Sequence, residues 1–262
     1  MNSFRTKTSG LKVILKRGKR AESIHNAHAV VCDTKGRILM YAGDPKYETF
    51  VRSSLKPFQV LPFISSGASE AIKAGTKGIA IACGSHLGST YHAREAFKIL
   101  WNSDLQVNDL QCPIPTNKTS RLEHNCSGKH SAFLATCKKM NWPIENYLDL
   151  NHPLQKEIYR RVAEILGIPP DELIAERDNC GAPTLLLNID QMASLYANLT
   201  EAKHPEFEKI IRSITQSPEL IAGENAFDTE LIKRAHGQII SKGGSEGIQC
   251  IGRIGEGLGV AI

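Results

Sequence analysis

The run His124-Asn125-Cys126-Ser127-Gly128-Lys129-His130 and its downstream counterpart Asp178-Asn179-Cys180-Gly181-Ala182-Pro183 constrain this chain most. Two thiols, an amine and two imidazoles fall in one turn-and-helix signal and one loop. The first run reads as a helix start. Asn125 or Ser127 is placed to accept the free N–H groups, and Ser131-Ala132-Phe133-Leu134-Ala135 continues with good helix formers. On such a helix Cys126 and Lys129 stand three apart and share a face. Cys180 has to be brought in from elsewhere in the fold.

At 262 residues and 41% hydrophobic, the chain can bury one large core or two small ones. The net charge of +5 is modest, aromatic content is 6%, and no Lys/Arg run is interleaved with aromatics, so nucleic acid is not an expected partner. No segment approaches the ~18 apolar residues of a membrane span, and Val13-Ile14-Leu15 is too short for a signal peptide. The seven cysteines are odd in number and scattered, without a disulfide framework. A reduced, cytoplasmic protein is expected, with its cysteines as core residues or metal ligands.

Strand patterns occupy Lys12 to Lys16 and Ile24 to Cys32, with a turn at Asp33-Thr34-Lys35-Gly36 into a further strand from Arg37 to Ala42. Helical spacing is expected at 57–66, 91–101, 153–166, 190–199 and 205–215, with Pro153 in a first turn and Gly167 just past an end. The apolar run from Gly78 to Cys83 reads as a short buried strand or connector. Strand character returns at 238–241, 247–251 and 258–262. Strands at both ends with helices between predict an α+β fold of one catalytic unit over 1–262. Its antiparallel sheet would come from about 11–45 and 236–262, with a mostly helical part over about 50–235. The chain stops inside the apolar run Gly259-Val260-Ala261-Ile262, which predicts a truncated C-terminus.

Ser53-Ser54-Leu55-Lys56 has the S-x-x-K spacing in which a lysine amine removes a serine proton. About one such match is expected by chance in a chain this long, and Ser9-Gly10-Leu11-Lys12 is another. In isolation a helix cap with a solvated lysine explains the Ser53 to Lys56 match as well. A lysine base also needs burial or a neighbouring cation to stay neutral, and Lys242, ahead of Gly243-Gly244, is the candidate neighbour. Ser85, between Gly84 and His86, is either a second hydroxyl of a site or a turn former. Thiolates at Cys126 and Cys180 select zinc among common cytosolic ions. By spacing alone His124 or His130 is the conventional third ligand, and Lys129 an uncommon one. Cys32, Cys112, Cys137 and Cys250 read as small core hydrophobes. Gly255-Glu256-Gly257-Leu258-Gly259 reads as a turn, and Gly223 to Thr229 as a polar loop capping a helix that starts near Asp228.

With these runs in view, the chain resembles the Rhizobium-type (thermolabile, asparaginase II) L-asparaginase family. The matching stretches are Ser23-Ile24-His25, Gly43-Asp44-Pro45, Arg52 to Gln59, Ser85-His86, His124 to His130, Asp178 to Thr184, Gly223-Glu224-Asn225 and Lys242 to Gly247. The resemblance implies a serine-β-lactamase and glutaminase-like fold and hydrolysis of L-asparagine to L-aspartate and ammonia. It implies two Ser–Lys pairs, Ser53 with Lys56 and Ser85 with Lys242. It places Zn2+ on Cys126, Lys129 and Cys180, and Arg52, His86, Asn125, His130 and Asp178 around the substrate. A homodimer is also implied. The chain departs from the family at Asn179, where Gly is usual, at Gly244-Ser245, where Gly-Ala is commoner, and in a stretch that follows Ile262 in the family. The rival expectations are a non-catalytic, zinc-pinned binding protein, or the same machinery acting on glutamine or another small amide.

Overall fold

A computed structural model describes residues 9–262. Among the described residues, ten strands form three antiparallel sheets. Strands β1 (Leu11–Arg17) and β2 (Arg20–Ala27) make an exposed hairpin. Strands β3 (Ala29–Asp33), β4 (Ile38–Ala42), β5 (Glu48–Phe50), β6 (Ile174–Arg177), β7 (Pro183–Asn188), β8 (Ile239–Gly243), β9 (Gln249–Arg253) and β10 (Leu258–Ala261) follow in chain order. The main sheet runs β4-β3-β10-β9-β8, so strands from the two ends of the sequence meet at β3 and β10, with Val31 opposite Val260. The expected α+β architecture holds, with helices making up most of the chain between.

Alternation explains which face of this sheet is covered. Val30 and Cys32 of β3, Cys250 and Gly252 of β9, and Gly259 and Ala261 of β10 all point inward and are buried. These are small side chains, and their size lets a helix lie almost on the strand backbone. A Cβ on Gly259 would stand 1.9 Å from the Ala193 carbonyl oxygen, and one on Gly252 would stand 2.5 Å from Thr200 Cγ2. The glycine-rich end of the chain is therefore partly turn, at 254–257, and partly the close-packed strand β10.

The helices are α1 (Lys56–Gln59), α2 (Leu61–Ser65), α3 (Ala68–Ala71), α4 (Gly75–Cys83), α5 (Thr90–Asn102), α6 (Ser127–Met140), α7 (Pro153–Leu166), α8 (Ile189–Glu201), α9 (Pro205–Gln216), α10 (Glu219–Ala222) and α11 (Phe227–Arg234). Helix α8 carries Ala193 and Thr200 and is the one seated on the main sheet. Helix α7 begins with Pro153 in its first turn and ends at Gly167 with φ 67°, as its sequence requires.

Two expectations are corrected. The run Gly78 to Cys83 belongs to helix α4, because a short apolar run carries no period that separates strand from helix, and here it is buried all round among helices. The central region is also not only helical, since β5, β7 and β6 form a second, three-stranded sheet. That sheet matters for function. Its β6–β7 turn is Asp178 to Ala182, closed by Asp178 N–H donating to the Ala182 carbonyl at 2.9 Å. Beside β7, the chain leaves β5 through Val51, whose N–H donates to the Leu185 carbonyl, and then enters the Ser53 turn.

Substituting Gly259 by Ala forces α8 off the sheet, because the clash is with backbone and not with a side chain that can rotate. The expected loss of stability is about 3 kcal/mol, read as a lower urea midpoint with an unchanged slope.

Candidate active site

Residues 52–55 form a 3-10 turn that runs directly into α1. Arg52 is held in the left-handed region at φ 53°, an uncommon conformation for a side-chain-bearing residue. Its N–H donates to Thr184 Oγ1 at 2.9 Å, and its guanidinium donates to Asp178 Oδ1 at 2.9 Å and to Asn179 Oδ1 at 2.6 Å. The neighbouring serines then face different ways. Ser54 is buried and donates to the Lys242 carbonyl at 2.9 Å. Ser53 is half-buried, and its hydroxyl has no hydrogen-bond partner among the described residues.

Three lysines converge here with almost no exposure: Lys56 at 0%, Lys129 at 2% and Lys242 at 1%. Lys56 Nζ stands 2.5 Å from the Gly84 carbonyl, 3.2 Å from the Asn125 carbonyl and 2.9 Å from Ser85 Oγ. Burial lowers its pKa, and the Lys129 charge adds to that while the thiols of Cys126 and Cys180 oppose it. A neutral amine has two N–H groups and one lone pair. Both carbonyls can only accept, so in a neutral Lys56 the two N–H groups would go to Gly84 and Asn125, and the lone pair would be left to accept the Ser85 hydroxyl proton. Lys242 Nζ donates to the Gly243 carbonyl at 2.6 Å, and burial, then the Lys56 charge, lower its pKa to about 8. Lys56 is thus brought to Ser85. Hydrogen bonds from Lys56 to Ser53 and from Lys242 to Ser85 are absent among the described residues.

Lys129 behaves differently. Burial works against its charge, but Cys180, Cys126 and Asp178 outweigh it and raise its pKa. Cys180 is the counterpart. A hydrogen bond from Cys126, and then the Lys129 charge against the opposing effect of burial, bring its pKa down to about 5. Lys129 Nζ lies 3.4 Å from Cys180 Sγ, and Lys56 reaches the same Cys126 thiol. The amine–hydroxyl group and the thiol group are one cluster.

Helix α6 starts without the expected caps. Cys126 is the N-cap and makes no side-chain cap bond. Ser127 Oγ instead donates back to the Leu122 carbonyl at 2.8 Å, and Asn125 is exposed. The cap-like role falls to His124, whose Nδ1 accepts the Cys126 N–H at 3.0 Å. Gly128 allows the helix to approach α4, since a Cβ there would meet the Ile81 carbonyl oxygen at 2.2 Å. His130 Nδ1 shares a hydrogen bond of 2.8 Å with the Tyr147 hydroxyl, which also accepts Gln111 N–H. His130 Nε2 is a buried atom with no partner among the described residues. Burial, and then the Lys129 charge, push its pKa down to about 3. His86 is buried and stacked on His92, with Nδ1 accepting from Gly88 N–H and Nε2 on Ser127 Oγ.

No group of three or more His, Cys, Asp or Glu side chains among the described residues is placed to hold a metal ion. A donor set that includes an amine does converge, at Cys126, Lys129 and Cys180. Bond lengths of ~2.0 Å to nitrogen and ~2.3 Å to sulfur put tetrahedral neighbours about 3.5 Å apart. The 3.4 Å between Lys129 Nζ and Cys180 Sγ fits that edge. Sequence reasoning did not find Asp228, Ser54 or Tyr196, whose hydroxyl donates to the Ser54 carbonyl at 2.8 Å. They support the site through backbone groups, and no motif spacing marks such a role.

Residues 13–262 match the model of the family described as L-asparaginase II, and the chain belongs to that family. Among solved structures, the chain is similar to Mglu, with a TM-score of 0.48 and 13% identity over 89% of this chain and 60% of that one. Against Mglu in its glutamate form the values are 0.48, 13%, 89% and 55%. Against its native form in 4.3 M NaCl they are 0.47, 15%, 89% and 54%. The chain spans 60% or less of the length of these structures. No curated protein matches it.

The buried His86 gives a measurable consequence. Burial, and then His92, hold its pKa well below 6.5, so the folded protein refuses a proton that the unfolded chain accepts. Stability therefore falls as pH is lowered from about 6.5 toward the depressed folded value. Nitrogen-15 NMR is expected to show Nδ1 unprotonated from pH 8 to 5, and His86→Gln is expected to flatten the slope of unfolding free energy over that interval.

Proposed function

We propose that this protein hydrolyses the side-chain amide of L-asparagine through a seryl ester, as a single catalytic unit on a serine-β-lactamase and glutaminase-like fold. The observation that carries the reading is the buried Lys56 amine, lowered in pKa and hydrogen-bonded to Ser85 one helical turn from Ser53. A buried neutral amine beside hydroxyls has the chemistry of a general base. Ser53 is the nucleophile because its hydroxyl is unengaged and half-exposed, on a turn strained at Arg52. Its Oγ bonds to the amide carbon while its proton passes to Lys56. The tetrahedral oxyanion collapses, Lys56 returns the proton to the departing nitrogen, and ammonia leaves. Water then attacks the ester, and Lys56 takes and returns a proton as aspartate is released. Backbone N–H groups near the nucleophile would stabilise the oxyanion.

Arg52 and Asp178 suit the two ends of an amino acid, since a pair that bonds itself can open onto a carboxylate and an ammonium of matched polarity. Asn125 and His130 complete the surround. His86, with both ring nitrogens engaged, supports the Ser85 loop. Cys126, Lys129 and Cys180 would hold Zn2+, which when bound supplies a fixed positive charge and a pin between α6 and the Cys180 turn. Lys129 has to give up its proton for this, so binding strengthens as pH rises. A cytoplasmic setting accords with seven free thiols, and no helix among the described residues is long and apolar enough to cross a membrane.

One observation favours a second reading for the nucleophile. The Lys56 contact is to Ser85, so the first proton removed could be that of Ser85. Ser53→Ala is expected to lower kcat for ammonia release by at least 1,000-fold without unfolding, and acid-quenched mass spectrometry should find the ester on Ser53. Substantial activity in that variant, with the ester on Ser85, would transfer the role. An ammonia-release screen over asparagine, glutamine and other small amides sets the substrate class, and no turnover of any amide ends the hydrolytic reading. Elemental analysis of protein purified without added zinc should find one equivalent, lost in Cys180→Ser.

The pH profile is a separate check. Lys242 is charged below about 8 and neutral above it. In this mechanism its charge helps keep Lys56 neutral, so kcat/KM is expected to fall as pH rises through about 8. A profile still flat at pH 9.5 removes Lys242 from the mechanism.

A further inference from the structure

The peptide group joining Lys242 to Gly243 is gripped from both ends. On one side its carbonyl oxygen accepts the Ser54 hydroxyl at 2.9 Å. On the other its N–H donates to Asp228 Oδ2 at 2.8 Å. Asp228 comes from the first turn of α11 and is buried. Its other oxygen accepts from Ser241 Oγ at 2.7 Å and from Gln249 Nε2 at 2.9 Å. One carboxylate thus ties two residues of β8 and one of β9, at the end of the sheet where Lys242 stands. The Ser54 carbonyl is in turn held by the Tyr196 hydroxyl of α8.

We infer that Asp228 is a positioning residue: through the Gly243 N–H it fixes the peptide onto which the Ser53–Lys56 turn is docked by Ser54. The physical reason lies in the ends of that chain of bonds. A charged acceptor makes hydrogen bonds about twice as strong as neutral ones, and a peptide polarised at its N–H is a better acceptor at its carbonyl. The carboxylate therefore tightens the Ser54 bond on the far side of the same peptide. The space is equally specific. A Cβ on Gly243 would sit 3.4 Å from Asp228 Oδ2 and 3.2 Å from Gln249 Oε1, and one on Gly244 would sit 3.0 Å from the Val51 carbonyl oxygen and 3.2 Å from Ser54 Oγ. Two glycines let the strand end lie between the carboxylate and the serine turn.

This role rests on the hydrolytic reading for its kinetic test, but the grip itself is measurable without turnover. Asp228→Ala is expected to lower kcat for amide hydrolysis by about 50-fold, since misplacement by about 1 Å can cost about 100-fold, with KM within about threefold. Asp228→Asn keeps an acceptor for Gly243, and Ser241 and Gln249 can rotate to serve its NH2. It is expected to recover kcat to within about fivefold of the unsubstituted protein. Hydrogen exchange should show the Gly243 amide opening at least tenfold faster in Asp228→Ala, while the β10 amides stay protected. Activity in Asp228→Ala within threefold of the parent, or an unchanged Gly243 amide, overturns the assignment. Equal loss in the Asn and Ala variants also overturns it, because keeping an acceptor for Gly243 would then make no difference. If the Ala variant does not fold, the Asn variant decides, a protected Gly243 amide with near-parent kcat being the expected result and an unprotected amide the contrary one. If the parent turns over no amide, the proposed function falls while the exchange result still decides the grip.

Discussion

Three ammonium-capable side chains sit inside this core, and the energy of burying charge governs what each becomes. Moving an unpaired ammonium out of water costs several kcal/mol or more, so a fully buried lysine must lose its proton or find a partner. Lys56 and Lys242 are pushed toward the first course: burial lowers both pKa values, with the Lys129 charge adding to it at Lys56 and the Lys56 charge at Lys242, which comes down to about 8. Lys129 takes the second, with the Cys180 thiol lowered to about 5 beside it. An amine of lowered pKa and a thiolate–ammonium pair then share one enclosure, linked by the Cys126 thiol beside Lys56. The basicity of Lys56 is a consequence of where the chain packs it.

The scaffold delivers these groups from separate parts of the sequence by two sheets. The small sheet sets β5 beside β7, so the chain runs into the Ser53 turn next to the turn that carries Asp178 and Cys180. The main sheet presents Lys242 at the end of β8, where Ser54 bonds its carbonyl. Adjacent serines on one 3-10 turn therefore divide the work by direction alone. Ser54 is used up in docking, and Ser53 is left with an unengaged hydroxyl. Exchange of the two roles would need a rotation of about 120° in the turn, which the Arg52 anchors on Thr184 and Asp178 oppose.

Much of the fold was legible because the relevant signals are local. Helix α7 announces itself by Pro153 at its start and Gly167 at its end, and β3, β9 and β10 by alternation or apolar clustering. The second sheet was not legible. β5 has three residues, and the Leu185-Leu186-Leu187 run of β7 carries no period of its own. Helix α4 was missed for the same reason, an apolar run buried all round. The residues of the site were read from spacing and from a family resemblance, but their mutual orientation is a tertiary property. Nothing in S-x-x-K says that the lysine turns toward Ser85, nor does His-Asn-Cys-Ser say that an imidazole and not a hydroxyl receives the Cys126 N–H.

Charge balance in the enclosure bears on which ligands leave Lys56 neutral. Arg52 is met by Asp178, Lys129 by the Cys180 thiolate, and the charge that Lys242 carries below a pH of about 8 by Asp228, so the fixed charges nearly cancel without Lys56. A zwitterionic amino acid with a neutral side-chain amide adds no net charge, and the proton balance of the amine is undisturbed on its arrival. In the proposed reaction the acid formed differs by one carboxylate, which would lie next to Lys56. An anion within ~4–6 Å favours the charged form of an amine by one to three pKa units. In the proposed reaction the product would protonate Lys56, and the next cycle would begin only when that carboxylate has left and burial again makes the ammonium unfavourable. The same desolvation that lowers the Lys56 pKa would then set a preference for an amide over an acid in the pocket.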